Sequence, residues 1–353
     1  MKPALTAVLA GAFLGLAFAA QALDADDAVQ KLPLFASEAV LSMRIEGPLS
    51  TMLDERSNTA YYDGKLSYVD DAGLTHPLDL KFRTRGNKRR DPEICRFPPV
   101  RLNFQKKQVA GTIFEGQDKL KLVAPCNAKV DKYEQYVLLE YLAYKILQLH
   151  TPYAFRARLV QITWVDADDD NKSYDKIGFV IEHKNEMSAR LGMELVETME
   201  KAKHSDLNRT QAGIATLFQY MIANTDFSLV ASVPGEECCH NSILLSAESG
   251  ELIPIPYDFD WSGLINAPYA TPNPRFKVRS VTMRVWRGHC SVTPGINETI
   301  ALYQEQRENV FALINNQSGL SESTRKRAVK FLTRFYEDIS DPRKVQRNLN
   351  TPC

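Results

Sequence analysis

The chain has 353 residues, of which 44% are hydrophobic and 24% are charged. This composition is typical of globular proteins and excludes the disordered, collagen-like and low-complexity classes. The 43 basic and 43 acidic residues give a net charge of zero. Neutrality argues against a general nucleic-acid-binding protein, which needs a basic excess to neutralise phosphates.

The first 22 residues have the pattern of a secretory signal. Lys2 precedes an apolar run, and Ala20-Gln21-Ala22 fits a cleavage site between small residues. A single membrane anchor is the alternative, but the run is short for a membrane span. We therefore expect cleavage near Ala22 and an exported protein, periplasmic or secreted, without a membrane span.

Six cysteines follow the expected signal, and an even number in an exported chain predicts disulfides. They are Cys95, Cys126, Cys238, Cys239, Cys290 and Cys353. The sequence leaves their pairing open. For the adjacent Cys238 and Cys239 we expect two separate bridges, and a metal site with His240 is the alternative.

The first half of the chain reads mainly as β-structure. Alternating apolar and polar residues, bounded by Gly, Asp and Pro, predict strands at 38–48, 61–69, 77–84, 100–104, 118–123, 157–165 and 176–183. One helix is predicted at 131–149. On its helical wheel Glu140 lies among tyrosines and Leu147 rather than on the polar arc.

The second half reads mainly as helices. They are predicted at 186–203, 210–224, 297–316 and 321–337, with two short strands, SILLS and LIPIP, between the second and third. The expected fold class is therefore α+β with two lobes. A β-rich N-terminal lobe would span residues 23–184 and a helical C-terminal lobe residues 185–353.

Four polar residues in the second half suggest chemistry through their order along the chain. Asp226 and Asn241 lie in the loop after a buried helix, and Asp258 and Asp260 follow the second short strand. Protein-kinase-like folds place their catalytic groups in this order. One Asp orients or deprotonates the acceptor hydroxyl, while an Asn and a second Asp hold Mg²⁺, which prefers oxygen ligands.

The first half offers groups that suit a nucleotide. The basic turn at 83–90 contains Arg85, Gly86 and Asn87, and such a turn can present N–H groups and positive charge to phosphates. Lys121 is expected to pair with Glu140, and Arg101 is the rival cation. Glu182 ends a strand where a hinge between two lobes would receive the adenine.

Five segments together resemble the spore coat protein H-like (CotH-like) kinases. RTRGNKRR followed by PPVRLNF resembles their RGNSS and K-P-Y-R-L-K segments. QYVLLEYLAYKIL and GFVIEHK resemble the helix and strand that follow. IANTDFS with HNSILL, and then IPIPYDFDWSG, resemble their N-x-D loop and W-D-x-D strand end. The resemblance covers about residues 80–265.

The resemblance implies a two-lobed atypical protein-kinase fold that uses ATP with Mg²⁺ or Mn²⁺ to phosphorylate Ser or Thr of a secreted or envelope protein. It makes Asp226 the catalytic residue and Glu182 a hinge residue. Asn241 and Asp258 would bind the metal, with Asp260 assisting. Asn103 stands where the family has a lysine. The cation that anchors the nucleotide therefore stays open between Arg101 and Lys121.

Two other functions are compatible with these residues. One is a kinase-fold binding or structural module of the cell envelope without catalysis, and the other is a metal-dependent hydrolase that uses the same acids. The sequence lacks the G-x-S-x-G elbow of serine hydrolases, the Rossmann fingerprint and the Walker A loop.

Overall fold

The structure, a computed structural model, describes residues 33–70, 72–233 and 235–351. The expected signal sequence at 1–22 lies outside the described residues. The strands are β1 (Leu41–Gly47), β2 (Tyr62–Val69), β3 (Thr75–Thr84), β4 (Val100–Asn103), β5 (Lys119–Val123), β6 (Ala157–Asp166), β7 (Lys172–Ile181), β8 (Glu194–Leu195), β9 (Ser242–Ser246) and β10 (Leu252–Pro256). The helices are α1 (Leu49–Glu55), α2 (Lys106–Val109), α3 (Lys132–His150), α4 (Lys184–Leu191), α5 (Arg209–Met221), α6 (Ile296–Glu305), α7 (Arg307–Asn316), α8 (Glu322–Ser340) and α9 (Pro342–Leu349).

Seven strands form a closed barrel in the order β1-β2-β3-β4-β5-β7-β6. Neighbouring strands are antiparallel except β1 and β6, which pair in parallel from Leu41↔Val160 to Gly47↔Asp166. This parallel pair closes the sheet. The alternating residues of the strands supply one apolar cluster, as expected for a small barrel filled by side chains. Its fully buried members include Ile45, Leu66, Phe82, Leu102 and Trp164.

The expected two-lobed kinase-like fold is wrong. The first seven strands close into a barrel instead of forming an open β-lobe, and the second half contains a three-stranded sheet, β10-β9-β8, beside its helices. The physical reason is the pairing of β1 with β6, which satisfies backbone groups that an edge strand would leave open. The lobe boundary expected at residues 184–185 stays a prediction.

The large second core joins helices from both halves of the chain. Tyr144 of α3, Leu217 of α5 and Phe335 of α8 belong to one buried cluster, and each is at most 2% exposed. Helix α3 therefore lies with its apolar residues against the second half of the chain and the barrel strands β6 and β7. This packing holds α3 rigidly next to the loops that follow α5 and β10.

Most predicted elements are confirmed, with shifts of a few residues at their ends. The helix expected at 186–203 is wrong in length. It ends at Leu191 because Gly192 adopts a left-handed conformation (φ 63°) that caps it. The helix expected at 297–316 is two helices that meet at Gln306. Helices α1, α2 and α9 and the short strand β8 were not predicted.

The disulfides correct one prediction. Cys95 is bonded to Cys126, and Cys238 is bonded to its neighbour Cys239, so the two separate bridges expected there are wrong. Cys290 is also disulfide-bonded. Structural disulfides are typical of oxidising compartments and agree with export. In the described ranges no helix combines the length and apolar character that a bilayer crossing requires.

Candidate functional site

Most of the predicted site residues come together at one cleft of about 530 Å³. Its lining includes the predicted residues Arg85, Gly86, Asn87, Asp226, Asn241, Asp258 and Asp260. They come from the turn after β3, the loop after α5 and the segment after β10. Residues far apart in sequence thus form one polar site.

The side chain of Arg89 lies at the centre of this site. Its Nη1 is 3.3 Å from Glu140 Oε2, its Nη2 is 3.2 Å from Asp258 Oδ1, and its Nε is 3.2 Å from Asp260 Oδ2. The residue is 8% exposed. One guanidinium therefore connects three acidic residues of two separate segments. The prediction that Lys121 or Arg101 pairs with Glu140 is wrong.

The turn that carries Arg89 is held from both ends. Gly86 has φ 91°, a conformation that side chains with Cβ avoid, and a short 3₁₀ helix follows at Lys88–Arg90. Arg56 donates hydrogen bonds to the carbonyls of Arg90, Cys95 and Arg96. With the Cys95–Cys126 bond, these contacts fix the position from which Arg89 reaches the acids.

The acidic cluster has more carboxyl groups than its guanidinium can neutralise. Burial raises the pKa of Glu140 to about 8, although Arg89 lowers it. Burial likewise raises the pKa of Asp260 to about 6, again opposed by Arg89 and reinforced by the charge of Asp258. Burial would lower the pKa of Arg89, yet Asp260 and Glu140 keep it well above its ordinary value. At neutral pH we therefore expect Glu140 to hold a proton.

Helix α3 supports the acidic cluster through two residues one turn apart. Glu140 contacts Arg89, and the hydroxyl of Tyr144 accepts a hydrogen bond of 3.0 Å from the backbone N–H of Asp258. Residues at positions i and i+4 lie on the same face of a helix. This explains why Glu140 lies on the tyrosine-rich face in the sequence. Asp258 itself has φ 62°, and its side chain is 34% exposed and faces the cleft.

The second acidic group of the cleft, Asp226, is bound on three sides. Its Oδ1 lies 2.8 Å from His240 Nε2, its Oδ2 accepts a hydrogen bond of 3.1 Å from Asn241 Nδ2, and its N–H donates to Asn224 Oδ1. Burial raises the pKa of Asp226, but His240, Lys88 and Asn241 outweigh burial and lower it overall. The pKa of His240 is raised mainly by the same hydrogen bond. Asp226 is therefore ionised at neutral pH.

Three cations, Arg85, Arg101 and Lys121, lie near one another on the barrel side of the cleft, and of the three only Arg85 belongs to the cleft lining. Arg101 and Lys121 are opposite each other on β4 and β5, and Lys121 Nζ lies 4.8 Å from the centre of the Tyr257 ring. Burial and then the charge of Arg85 lower the pKa of Lys121 to about 7, while Asp258 opposes this shift. Among the described residues, no carboxylate forms an ion pair with any of these three cations.

Glu182 is not brought to the cleft. It is completely buried, and Arg190 donates hydrogen bonds of 2.8 and 2.9 Å to its two carboxylate oxygens. The backbone N–H of Arg156 also donates to it. Its contacts hold helix α4 against the end of β7.

The sequence prediction missed two residues of the site, Arg89 and His240. Arg89 stands among the basic residues of the 83–90 turn, and His240 directly precedes Asn241. The sequence signals were weak, because Arg89 was one of several cations in the predicted phosphate-binding turn and His240 entered only as the alternative metal ligand beside Cys238 and Cys239. Which of several neighbouring cations points inward depends on the 3₁₀ turn and is not visible in the sequence.

The acidic residues have the chemistry of a site for a divalent cation. One carboxylate oxygen each of Glu140, Asp258 and Asp260 lie within 4.8 Å of one another. Hard cations such as Mg²⁺ prefer oxygen ligands and are commonly bound through one or two carboxylates. The three carboxyl groups can carry more negative charge than the single guanidinium of Arg89 neutralises. A divalent cation bound here would neutralise the rest. Asp258 and Asp260, with the amide oxygen of Asn241, fit this role.

The comparisons with known proteins add no family to this picture. Neither the protein-family models nor the curated proteins compared with the chain give a match.

Proposed function

We propose that the protein is an exported phosphotransferase that moves a phosphoryl group from a nucleotide, ATP by the CotH-like resemblance, to a Ser or Thr hydroxyl of a secreted or envelope protein. The single observation that supports this most is the convergence of Asp226, Asn241, Asp258 and Asp260 in one cleft beside unpaired cations. The disulfides support placement in the periplasm or outside the cell.

The nucleotide phosphates would lie on the barrel side of the cleft. Arg85 and Arg101 supply positive charge there, and Lys121, whose pKa is lowered to about 7, is partly protonated at neutral pH. No carboxylate of the described residues forms an ion pair with any of the three. Backbone N–H groups at a glycine-containing turn, such as that at Gly86, are common partners of phosphate oxygens. Charge-assisted hydrogen bonds from Arg to phosphate are strong and directional.

The divalent ion, Mg²⁺ or Mn²⁺, would be held by Asp258, Asp260 and Asn241. When bound, it neutralises phosphate charge that develops during transfer. Arg89 keeps Asp258 and Asp260 in place from beneath through its two contacts of 3.2 Å.

Asp226 would act on the acceptor. Its carboxylate is ionised and faces the cleft, so it can accept a hydrogen bond from a Ser or Thr hydroxyl. As the hydroxyl oxygen bonds to the transferred phosphorus, the bond from that phosphorus to the bridging oxygen of the nucleotide breaks and the nucleoside diphosphate leaves. The hydroxyl proton passes to Asp226. His240 and Asn241 hold the carboxylate in one orientation, so less conformational entropy is lost when it is positioned for the reaction.

A non-catalytic binding module is the second candidate, and one observation favours it. Arg89 already contacts the three acids whose oxygens converge, so each of them has a cationic partner without a metal. A scaffold could keep this arrangement for stability alone.

The test combines nucleotide binding with transfer. We expect an inert ATP analogue with Mg²⁺ or Mn²⁺ to raise the melting temperature, because a ligand at one hundred times its Kd stabilises by about 2.7 kcal/mol. Asp258→Asn should abolish the metal-dependent part of the shift, whereas the exposed control Asp54→Asn should keep it. Label from γ-labelled ATP should appear on a Ser/Thr peptide library.

Other results would separate the alternatives. A metal-dependent shift without transfer would favour the binding module. Release of free phosphate without labelled peptide would favour a hydrolase. No shift with any nucleotide in folded protein would contradict the proposed phosphotransferase.

A further inference from the structure

A second pair of arginines, Arg275 and Arg287, lines the cleft on the side of Asp226. Arg287 Nη1 donates hydrogen bonds to the backbone carbonyls of Thr225, at 3.0 Å, and of Phe227. These two residues flank Asp226 in the chain. Arg287 is therefore fixed directly beside the loop that carries the proposed base.

Two aromatic rings hold the guanidinium of Arg287 in place. Its Cζ lies 4.5 Å from the centre of the Phe227 ring and 5.1 Å from that of Phe276. Its hydrogen bonds to the carbonyls of Thr225 and Phe227 both use Nη1, whereas an arginine side chain carries five N–H donors. A rigid arginine with donors to spare is a suitable partner for an anion.

The positive charge of this pair is not neutralised within the described chain. No carboxylate there forms an ion pair with Arg275 or Arg287. Burial lowers the pKa of Arg287, the nearby charge of Arg275 lowers it further, and Asp226 partly opposes both. Arg275 itself is exposed and belongs to the rim of the cleft.

These arginines are separate from the cations assigned to the nucleotide. Lys121 interacts electrostatically with Arg85 and with Asp258, whereas Arg287 interacts with Arg275 and Asp226. The acidic cluster thus has one group of cations on its barrel side and another beside the proposed base. The second group lies where an acceptor, rather than a nucleotide, would approach Asp226.

A second, smaller cavity adjoins the cleft beside Arg287. Phe227, Ser228 and Arg287 line both the cleft and a neighbouring cavity of about 180 Å³. That cavity reaches His204 and His289, whose rings are stacked 3.9 Å apart. Arg287 is thus shared by two neighbouring cavities, which leaves space on both sides of it for residues that flank an acceptor hydroxyl.

We infer that Arg275 and Arg287 bind a carboxylate side chain of the protein acceptor, so that the preferred acceptor is an acidic peptide segment. This rests on the proposed function. A carboxylate at the pair would make charge-assisted hydrogen bonds, and a hydroxyl nearby in the same segment would reach Asp226. A basic segment would meet like charge and be rejected, which gives specificity by repulsion as well as attraction.

The test measures peptide binding without requiring transfer. Two fluorescent peptides of equal length would carry a central alanine, one flanked by Asp and Glu and the other by Lys and Arg. Binding to the oxidised protein is measured at fixed ionic strength with Mg²⁺, first without and then with an inert ATP analogue. We expect the acidic peptide to bind at least tenfold more tightly.

Charge reversal distinguishes recognition from general structural damage. Arg275→Glu should invert the preference, so that the basic peptide binds more tightly. The matched control Lys277→Glu changes an exposed cation of the same segment outside the cleft lining and should keep the acidic preference. Equal binding of the two peptides, or an acidic preference that survives in Arg275→Glu, would overturn the inference. Displacement of the acidic peptide by the ATP analogue would also overturn it, because the pair would then belong to the nucleotide site.

Transfer is scored separately with peptides that carry serine at the centre. Acidic preference in binding without any transfer would refute the proposed phosphotransferase and leave the acidic-peptide site intact. Transfer with equal rates on acidic and basic peptides would support the phosphotransferase and overturn the inference.

Discussion

The guanidinium of Arg89 lies 3.3 Å from the carboxyl group of Glu140, in a place where both residues are almost completely buried. This contact joins the turn after β3 to the middle of helix α3. Because Arg89 also reaches Asp258 and Asp260, it connects the barrel side of the cleft to the segment after β10. The geometry of the acidic cluster therefore depends on one side chain.

Removing this guanidinium should cost a large share of the stability. Arg89→Met leaves the buried carboxyl groups of Glu140 and Asp260, and the partly exposed one of Asp258, without their cation. We expect the free energy of unfolding to fall by about 3–5 kcal/mol. Chemical denaturation of the metal-free protein measures the change. The exposed neighbour Arg96 provides the control, since Arg96→Met should change stability by about 0.5 kcal/mol or less. Similar losses in the two variants would contradict a central role for Arg89.

Acid should destabilise the protein through His150. This imidazole is 5% exposed, and burial lowers its pKa to about 3 from its ordinary value of 6.5. Between these pH values the unfolded chain binds one proton more than the native chain. The free energy of unfolding should therefore fall as pH falls, by up to about 1.4 kcal/mol per pH unit from this residue.

Two substitutions check this contribution by denaturation at several pH values from 6.5 down to 3. His150→Phe can keep the stacking on Tyr303, whose ring lies 3.8 Å away, and His150→Gln keeps polarity. Neither titrates, so both should show a shallower dependence on pH than the parent protein. Parallel curves for all three proteins would rule out His150 as the source.

The imidazole of His240 should set the titration of Asp226. His240→Gln removes the imidazolium charge that lowers the pKa of Asp226, while the burial that raises this pKa remains. The pKa of Asp226 should therefore rise. Carbon NMR of the Asp226 carboxyl group follows this directly, and the acid limb of the kcat/KM profile should move to higher pH. His76→Gln is the control, because His76 pairs with Asp70 outside the cleft lining. An unchanged Asp226 titration in His240→Gln would show that the pair is not coupled.

The two described disulfide pairs should differ in their effect on stability. Cys95 and Cys126 are 31 positions apart, so replacing both by serine should cost about 3–4 kcal/mol through the freed loop. Cys238 and Cys239 are adjacent and close almost no chain, so the matching double serine variant should lose much less by this mechanism. Unfolding of the two double variants in guanidinium chloride gives the comparison. A smaller loss for the Cys95 and Cys126 pair would contradict the loop argument.

Local patterns in the sequence predicted the barrel strands and the main helices well, but not how the strands join. An open sheet and a closed barrel are built from the same alternating strands, because alternation reports only which face is buried. Pairing of Leu41 with Val160 closes the sheet, and this contact joins distant parts of the chain. No local periodicity encodes such a partner, so the two-lobed prediction failed here.

The sequence by itself determined which residues can carry the chemistry of the cleft. Asp226, Asn241, Asp258 and Asp260 were found from residue type and order, since few side chains suit a hard cation or a hydroxyl proton. Only the tertiary structure decided which cation pairs with the acidic cluster of Glu140, Asp258 and Asp260. Arg89, rather than Lys121, contacts Glu140, because a short turn directs that one cation of a basic segment inward. The strength of a buried charge contact depends on distance and burial, and both are properties of the folded chain.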